Sequence, residues 1–204
     1  MLHLLNHPLC SHIVTHLRDR TTNPVTFRTL TYQISVMLAI EATRQLPTRP
    51  SFIETPLESH EGRVLAQVLV IVPILRAGIG MVQPFTDLFP DVQVGYVGLE
   101  RNHETAIARK YYNKLPSLEQ KQVLLLDPML ATGGSAVQAI QLLKASGAQN
   151  CAIACVVAAP EGIKAVEAID AQIDIYAAAL DRELNDKKYI LPGLGDFGDR
   201  LYGT

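Results

Sequence analysis

Apolar and polar positions along the chain follow two periods. From Val123 to Leu126 four apolar residues run without polar alternation, the pattern of a parallel strand buried on both faces. Val68 to Val72, Val92 to Val97, Cys151 to Val157 and Ile173 to Ala177 read the same way, and Gly98 is expected to end the second of these. Helical spacing lies between them. Ala136, Ile140 and Leu143 define a helix that Gly147 closes, a second runs from Glu161 to Ala168, and a third starts at Ile79. Strand and helix units repeated in this way predict an α/β fold, a doubly wound and mostly parallel sheet.

Two helices precede these units. His12 and His16 lie four apart on the first, which is metal-ligand spacing, but no HExxH pattern accompanies them and a packed or solvated helix face is the better reading. On the second, Phe27, Leu30, Ile34, Met37 and Glu41 recur at three and four through Gln45, and Pro47 stops it. The reading sets both helices apart from the sheet, as a subdomain and dimer-forming element. Thr48 to Val64, with Pro50, Pro56 and charges, is expected to hold a short hairpin or a strand beside the sheet. Residues 99–115 are polar, aromatic and long for a connection, and carry Arg101, Arg109 and Lys110. Such a loop reads as a lid or as disordered, and plain solvated charge remains an open reading of Arg109 and Lys110.

The chemistry concentrates after Leu126. Asp127 ends the apolar run at the carboxyl edge of a parallel strand, where open α/β sheets bind ligands, and Pro128 is expected to stop the ladder there. Thr132, Gly133, Gly134 and Ser135 then lead into a helix whose first N–H groups, two hydroxyls and bare glycines suit a phosphate. The lysine of a Walker A loop is missing. Acid first and cradle after, five residues apart, suits a ligand with vicinal hydroxyls beside a phosphate: Asp127 accepts from a ribose diol and the loop takes the 5′-phosphate. An ordinary strand-to-helix turn with Asp127 as a cap is the competing reading. Arg76 and Gly78 follow another core strand and can offer a guanidinium and amides to a pyrophosphate, although a lone turn arginine is more often a solvated cap. Gly193, Gly195 and Gly198 spell a formal GxGxxG, but six residues after Gly198 are too few for a dinucleotide fold.

Composition narrows the function classes. The chain has 204 residues, 48% of them hydrophobic, enough for one domain with a sizeable core and against disorder. With 18 basic and 20 acidic side chains, no global charge calls for nucleic acid or an anionic membrane. Cys10, Cys151 and Cys155 are odd in number, two of them in an apolar run, and read as reduced thiols of a cytoplasmic protein. The start MLHLLNHPLC lacks the basic region of a signal peptide, and no apolar run approaches the ~20 residues of a membrane span.

DPMLATGGSA, from Asp127 to Ala136, resembles the phosphoribosyl diphosphate (PRPP) loop of type I phosphoribosyltransferases, in the form carried by the uracil phosphoribosyltransferases. Most members of the wider fold have two adjacent acids here; Asp127 followed by Pro128 matches the uracil enzymes. FRTLTYQISVMLAIEATRQLP, VPILRAGIGM and YILPGLGDFGDRLYGT agree, so the similarity covers nearly the whole chain. The resemblance implies transfer of phosphoribose from PRPP to uracil, with Mg²⁺ bound mainly through PRPP and water rather than a dedicated protein site. It places PRPP on Arg76, Arg101, Asp127, Pro128, Met129, Leu130, Ala131, Thr132, Gly133, Gly134, Ser135 and Asp196, and uracil on Ile190, Gly195, Asp196 and Phe197. Asp127, Asp196, Arg76 and Arg101 are the catalytic candidates. Many members carry Ala where Phe197 stands, which bears on pocket size. The LRAG loop of the family is often strained, with a non-proline cis bond as one form. One domain results, with residues 1–64 as helical and hood elements, 65–180 as the PRPP-binding core and 181–204 as the uracil tail. A homodimer or higher oligomer is expected, and GTP as an effector is left open. A PRPP- or UMP-sensing RNA-binding regulator and a purine enzyme of the same fold are the alternatives; balanced charge disfavours the first and the tail the second.

Overall fold

A computed structural model describes residues 1–101 and 108–204, with the backbone alone for residues 100, 101 and 108–111. The chain opens with β1 (Leu2–Leu4), α1 (Pro8–Arg18) and α2 (Pro24–Ala42), then a hairpin of β2 (Thr48–Glu54) and β3 (Ser59–Leu65). Next come β4 (Leu69–Leu75), a 3-10 turn at Ala77–Met81, α3 (Val82–Leu88), β5 (Gln93–Val94), β6 (Tyr96–Arg101) and β7 (Ala108–Lys114). The second half holds β8 (Gln122–Leu126), β9 (Met129–Leu130), α4 (Gly134–Ala145), β10 (Asn150–Ala158), α5 (Pro160–Ile169) and β11 (Asp174–Leu180). The tail adds β12 (Glu183–Leu184), β13 (Ile190–Leu191) and α6 (Phe197–Tyr202).

The main sheet runs in the order β1-β11-β10-β8-β4-β6-β7, parallel except for the β6–β7 pair. Period-2 alternation explains its two-sided core. Ile71, Leu124 and Leu126 pack toward α1, α2 and α3 on one face; Val70, Val123 and Leu125 pack toward α4 and α5 on the other. The doubly wound parallel sheet is therefore as the apolar runs indicated.

Several boundaries differ, each for a physical reason. The first helices are not apart from the sheet: Phe27, Leu30, Ile34 and Leu38 of α2 are buried in the same cluster as the inner strands. A three-residue strand precedes them, because Leu2, His3 and Leu4 extend the edge beside β11 in parallel. The second helix ends at Ala42 rather than Gln45. No α-helix starts at Ile79, since that residue lies in the 3-10 turn ahead of Val82. Gly98 does not end its strand; it pairs with Leu75 on one side and Tyr112 on the other. The stretch read as a long loop over 99–115 instead supplies antiparallel arms of β6 and β7, and residues 102–107 at its centre lie outside the described residues. The hairpin expected within Thr48 to Val64 is present in full pairing from Thr48↔Leu65 to Glu54↔Ser59.

Candidate active site

Topology places the site. After β4 the chain moves to β6 on one side of it and then returns to β8 on the other, so the turns after β4 and β8 diverge. A crevice at the carboxyl ends of the strands results from such a reversal, and both candidate loops lie there.

The turn after β8 begins at Asp127, half-exposed, whose N–H donates to the Ala154 carbonyl at 3.1 Å. Pro128 interrupts the ladder as expected, since β8 ends at Leu126, but the break is short. Having no N–H, it offers its carbonyl instead, accepting from Val156 and Val157 at 3.0 and 3.1 Å, and Met129–Leu130 resume pairing with β10 at Val157 and Ala158. The cradle is thus pinned to the sheet on both sides of the proline. Gly133 caps α4 with φ +78°, a conformation that a Cβ makes costly, and a Cβ there would also lie 2.8 Å from Ala165 and 2.9 Å from the Gly162 carbonyl. Close packing against α5 therefore sets the loop. The amides of Gly134, Ser135 and Ala136 stand in the first turn of α4, where N–H groups have no intrahelical acceptor; that of Gly134 reaches the Thr132 hydroxyl at 3.4 Å.

Arg76 follows β4 across a cis peptide bond with Leu75, and a second cis bond joins Leu191 to Pro192. The Arg76 carbonyl accepts from the Tyr202 hydroxyl at 3.2 Å, which joins the turn after β4 to the last helix. Burial pushes the Tyr202 phenol up from its ordinary pKa, with the Arg76 charge pulling the other way. Arg101 sits at the end of β6; its side chain, and those of Arg109 and Lys110, lie outside the described residues.

The tail forms the opposite wall. Gly193 has φ +62°, and a Cβ there would stand 2.1 Å from the Ile190 carbonyl, so only glycine permits this turn. Gly195, at φ +83°, precedes Asp196, whose carboxylate caps α6 by accepting from the Asp199 N–H at 2.9 Å through one oxygen. Ile190 and Phe197 are buried, and the Phe197 ring meets Phe27 edge-on at 5.2 Å. A cavity of about 360 Å³ is lined by Met129 and Ala131 from the PRPP-type loop and by Lys187, Lys188, Tyr189, Ile190, Gly195, Asp196 and Phe197 from the tail. Residues predicted separately thus meet in one space. Another cavity, of about 310 Å³, opens at the amino-terminal edge of the sheet beside Gln122, Asn150 and the Lys144–Asp170 ion pair, and holds none of the site candidates.

The match to known proteins covers this whole arrangement. The family model for uracil phosphoribosyltransferase matches residues 4–204. The chain belongs to the uracil phosphoribosyltransferase family. A relative of that description from Lysinibacillus sphaericus is 48% identical over all of this chain and 98% of its own length. One from Dictyoglomus thermophilum is 47% identical over the full length of both. The solved AQ2163 protein of Aquifex aeolicus, 36% identical, superposes with a TM-score of 0.95 over 100% of this chain and 99% of its own. A purine phosphoribosyltransferase from Pyrococcus horikoshii shares the fold alone, at 16% identity and a TM-score of 0.53 over 75% of this chain and 84% of its own.

Within that family frame, several residues that hold the site escaped sequence reading. Arg18, Asp181 and Arg200 fix the tail by long-range contacts, and Gly162 gives Gly133 its room. A signal existed for Asp181, which comes after an apolar strand as Asp127 does. His12 and His16 meet each other edge-on on α1, ring centres 4.6 Å apart.

Proposed function

We propose that the protein transfers phosphoribose from PRPP to uracil, giving UMP and pyrophosphate in pyrimidine salvage. The observation that carries this reading is the shared cavity, in which Met129 and Ala131 of the phosphate-side loop face Ile190, Gly195 and Asp196 of the base-side turn. The N1–C1′ bond forms as the bond from C1′ to the pyrophosphate oxygen breaks, the pyrophosphate leaves with the electron pair, and the N1 proton passes to the departing pyrophosphate or to solvent. Such a step needs alignment of base and ribose and stabilisation of charge on the leaving group.

Asp127 holds the ribose hydroxyls, and Thr132, Gly133, Gly134 and Ser135 take the 5′-phosphate on hydroxyls and first-turn amides. The backbone of Pro128, Met129, Leu130 and Ala131 shapes the floor between them. Arg76 and Arg101 neutralise the pyrophosphate. Ile190, Gly195 and Phe197 form the base wall, and the Asp196 oxygen not used in capping α6 faces the base and its N1 proton. A carboxylate accepts several hydrogen bonds, so both tasks are compatible.

Mg²⁺ favours hard oxygen donors and keeps much of its hydration. Asp127, partly exposed and five residues ahead of the phosphate cradle, is a hard oxygen donor of the kind this ion takes. With PRPP oxygens and water it would help hold such an ion, which would neutralise the departing pyrophosphate.

Among the described residues no helix is long and apolar enough to cross a membrane. The three free cysteines support a reducing cytoplasm. Exposed Phe52, Ile53, Leu57 and Val64 on the β2–β3 hairpin support a homodimer or higher oligomer in which a second copy covers them. Sedimentation tests the assembly, and adding GTP to the activity assay tests that effector.

The deciding assay is pyrophosphate release from PRPP and Mg²⁺ with uracil, cytosine or hypoxanthine. Uracil offers an N3–H donor between two carbonyls, whereas cytosine presents an acceptor at N3 and a donor at the 4-position. A backbone wall matched to uracil is expected to reject cytosine by roughly 10⁴ in kcat/KM. Comparable turnover of cytosine or hypoxanthine would overturn the reading.

A further inference from the structure

The segment from Asp181 to Gly193 is a hairpin. Glu183 and Leu184 of β12 pair with Leu191 and Ile190 of β13, and the Arg182 N–H donates to the Leu191 carbonyl at 3.0 Å. Its tip, Lys187 to Tyr189, and the incoming strand at Ile190 line the base side of the cavity. A buried junction at the neck fixes this wall against the rest of the molecule.

There the Asp181 carboxylate, 3% exposed, accepts the Gly193 N–H at 2.8 Å and two N–H groups of Arg18 at 2.7 and 2.5 Å. Arg18 also donates to the Gly193 carbonyl at 2.8 Å. One carboxylate and one guanidinium thus occupy both backbone polar groups of Gly193. Asp181 stands just past the end of β11 and Arg18 ends α1, so the junction ties the hairpin to the sheet and to the first helix together.

We propose that Arg18 and Asp181 are positioning residues for base binding: they hold the Gly193 peptide and so aim Ile190 and Gly195 at the base, while Asp196 is held separately as the cap of α6. The proposal rests on the reading of this turn as the uracil site. It separates the two substrates, because the PRPP loop is held by β10, α4 and α5 rather than by the Arg18–Asp181 pair. Loosening the junction shifts the base wall and leaves the phosphate cradle in place. Charge and fork geometry both count. Lysine at position 18 keeps the charge but not the two parallel bonds.

The test begins with the wild-type protein, PRPP, Mg²⁺ and uracil. Failure at that step removes the proposed reaction itself, whereas the variants bear on the positioning role alone. With uracil turnover in hand, Asp181→Asn is expected to raise the KM for uracil by ~10- to 100-fold, the range for losing hydrogen bonds to a charged group, and to change the KM for PRPP by less than about threefold. Arg18→Lys is expected to fall between wild type and Asp181→Asn. A merely structural role would lower the melting temperature and the active fraction without moving either KM. Breaking a buried pair leaves one charge unpaired, so Asp181→Asn can fail to fold; the double variant Arg18→Met with Asp181→Asn leaves no such charge and gives the same readout. An unchanged uracil KM, or equal rises in both KM values, in whichever variant folds overturns the proposal.

Discussion

The phosphate loop, whose Met129 and Ala131 reach the cavity ahead of Thr132–Ser135, and the base turn at Ile190–Phe197 meet at one space but are held by different means. The first is local: a buried strand, a proline whose carbonyl rejoins the ladder, and a glycine seated against α5. The second is assembled from distant parts of the chain. Arg18 and Asp181 hold Gly193, and Arg200 donates to the carbonyls of Leu194, Leu17 and Asp19 while lying 4.5 Å from the centre of the Phe27 ring. Arg28 donates to the Leu201 carbonyl at 2.9 Å. A phosphate needs little more than amides at a helix start, which a contiguous segment can supply. A neutral base offers no charge to grip, so its wall must be rigid, and rigidity here comes from the first two helices.

This difference is sharpest at Phe197. Its ring is 2% exposed and packs on Phe27, so Phe197→Ala removes a buried aromatic from the contact between α6 and α2. The expected loss is ~3–5 kcal/mol of folding stability, read as a fall in denaturation midpoint, with uracil KM rising more than PRPP KM. Retained stability would show that the base wall does not depend on α2.

Asp127→Asn probes the local wall. Loss of a charged acceptor for the ribose hydroxyls is expected to weaken PRPP use by ~1.5–3 kcal/mol in kcat/KM with the fold intact, since Asp127 stands beyond the buried run. Unchanged PRPP kinetics would remove it from the site. A smaller effect is expected for Tyr202→Phe, which deletes the bond between the last helix and the Arg76 carbonyl in the turn after β4. Tyr202 is 41% exposed, so about 0.5 kcal/mol, or roughly twofold in kcat/KM for PRPP, is expected. A tenfold change would mean that the Arg76 turn depends on the last helix more than this single bond implies.

The smallest effect concerns the two thiols of β10. Burial pushes the Cys151 thiol up to about 11 and raises Cys155 further, with the Asp127 charge adding to the latter. Both are thus neutral at pH 8 in the folded protein, and the contribution of Cys151 to stability declines only as pH rises from the ordinary thiol range through about 11. Iodoacetamide at pH 8 is expected to label them in the unfolded chain and not in the native one. Rapid native labelling would contradict the packing of β10.

The contrast also accounts for what the sequence made legible. The parallel strands, α4 and the phosphate loop are written as contiguous apolar runs and turn residues, and they lie where the spacing puts them. Pro128 was legible in part: its missing N–H, which breaks the ladder, is visible in sequence, while the carbonyl that lets pairing resume at Met129 is not. The continuation of β6 past Gly98 and the strand nature of β7 were hidden, because Gly98 and the charges around Arg109 carry no alternation. Arg18 and Asp181 stand 163 positions apart, and no local pattern announces that pair. The base turn was recognised through resemblance, but its supports became visible only with the fold.

The measurement that tests the account most directly applies one chemical change to both walls. Gly133 and Gly193 both have positive φ, and at each an added Cβ meets backbone, so Gly133→Ala and Gly193→Ala strain their loops comparably in kind. KM values for PRPP and uracil are then measured for both variants. Gly133→Ala is expected to raise the PRPP value by about tenfold or more and Gly193→Ala the uracil value by as much, each leaving the other within about threefold. If both substitutions raise the same KM, or each raises both equally, the two walls are not separately held and the account fails.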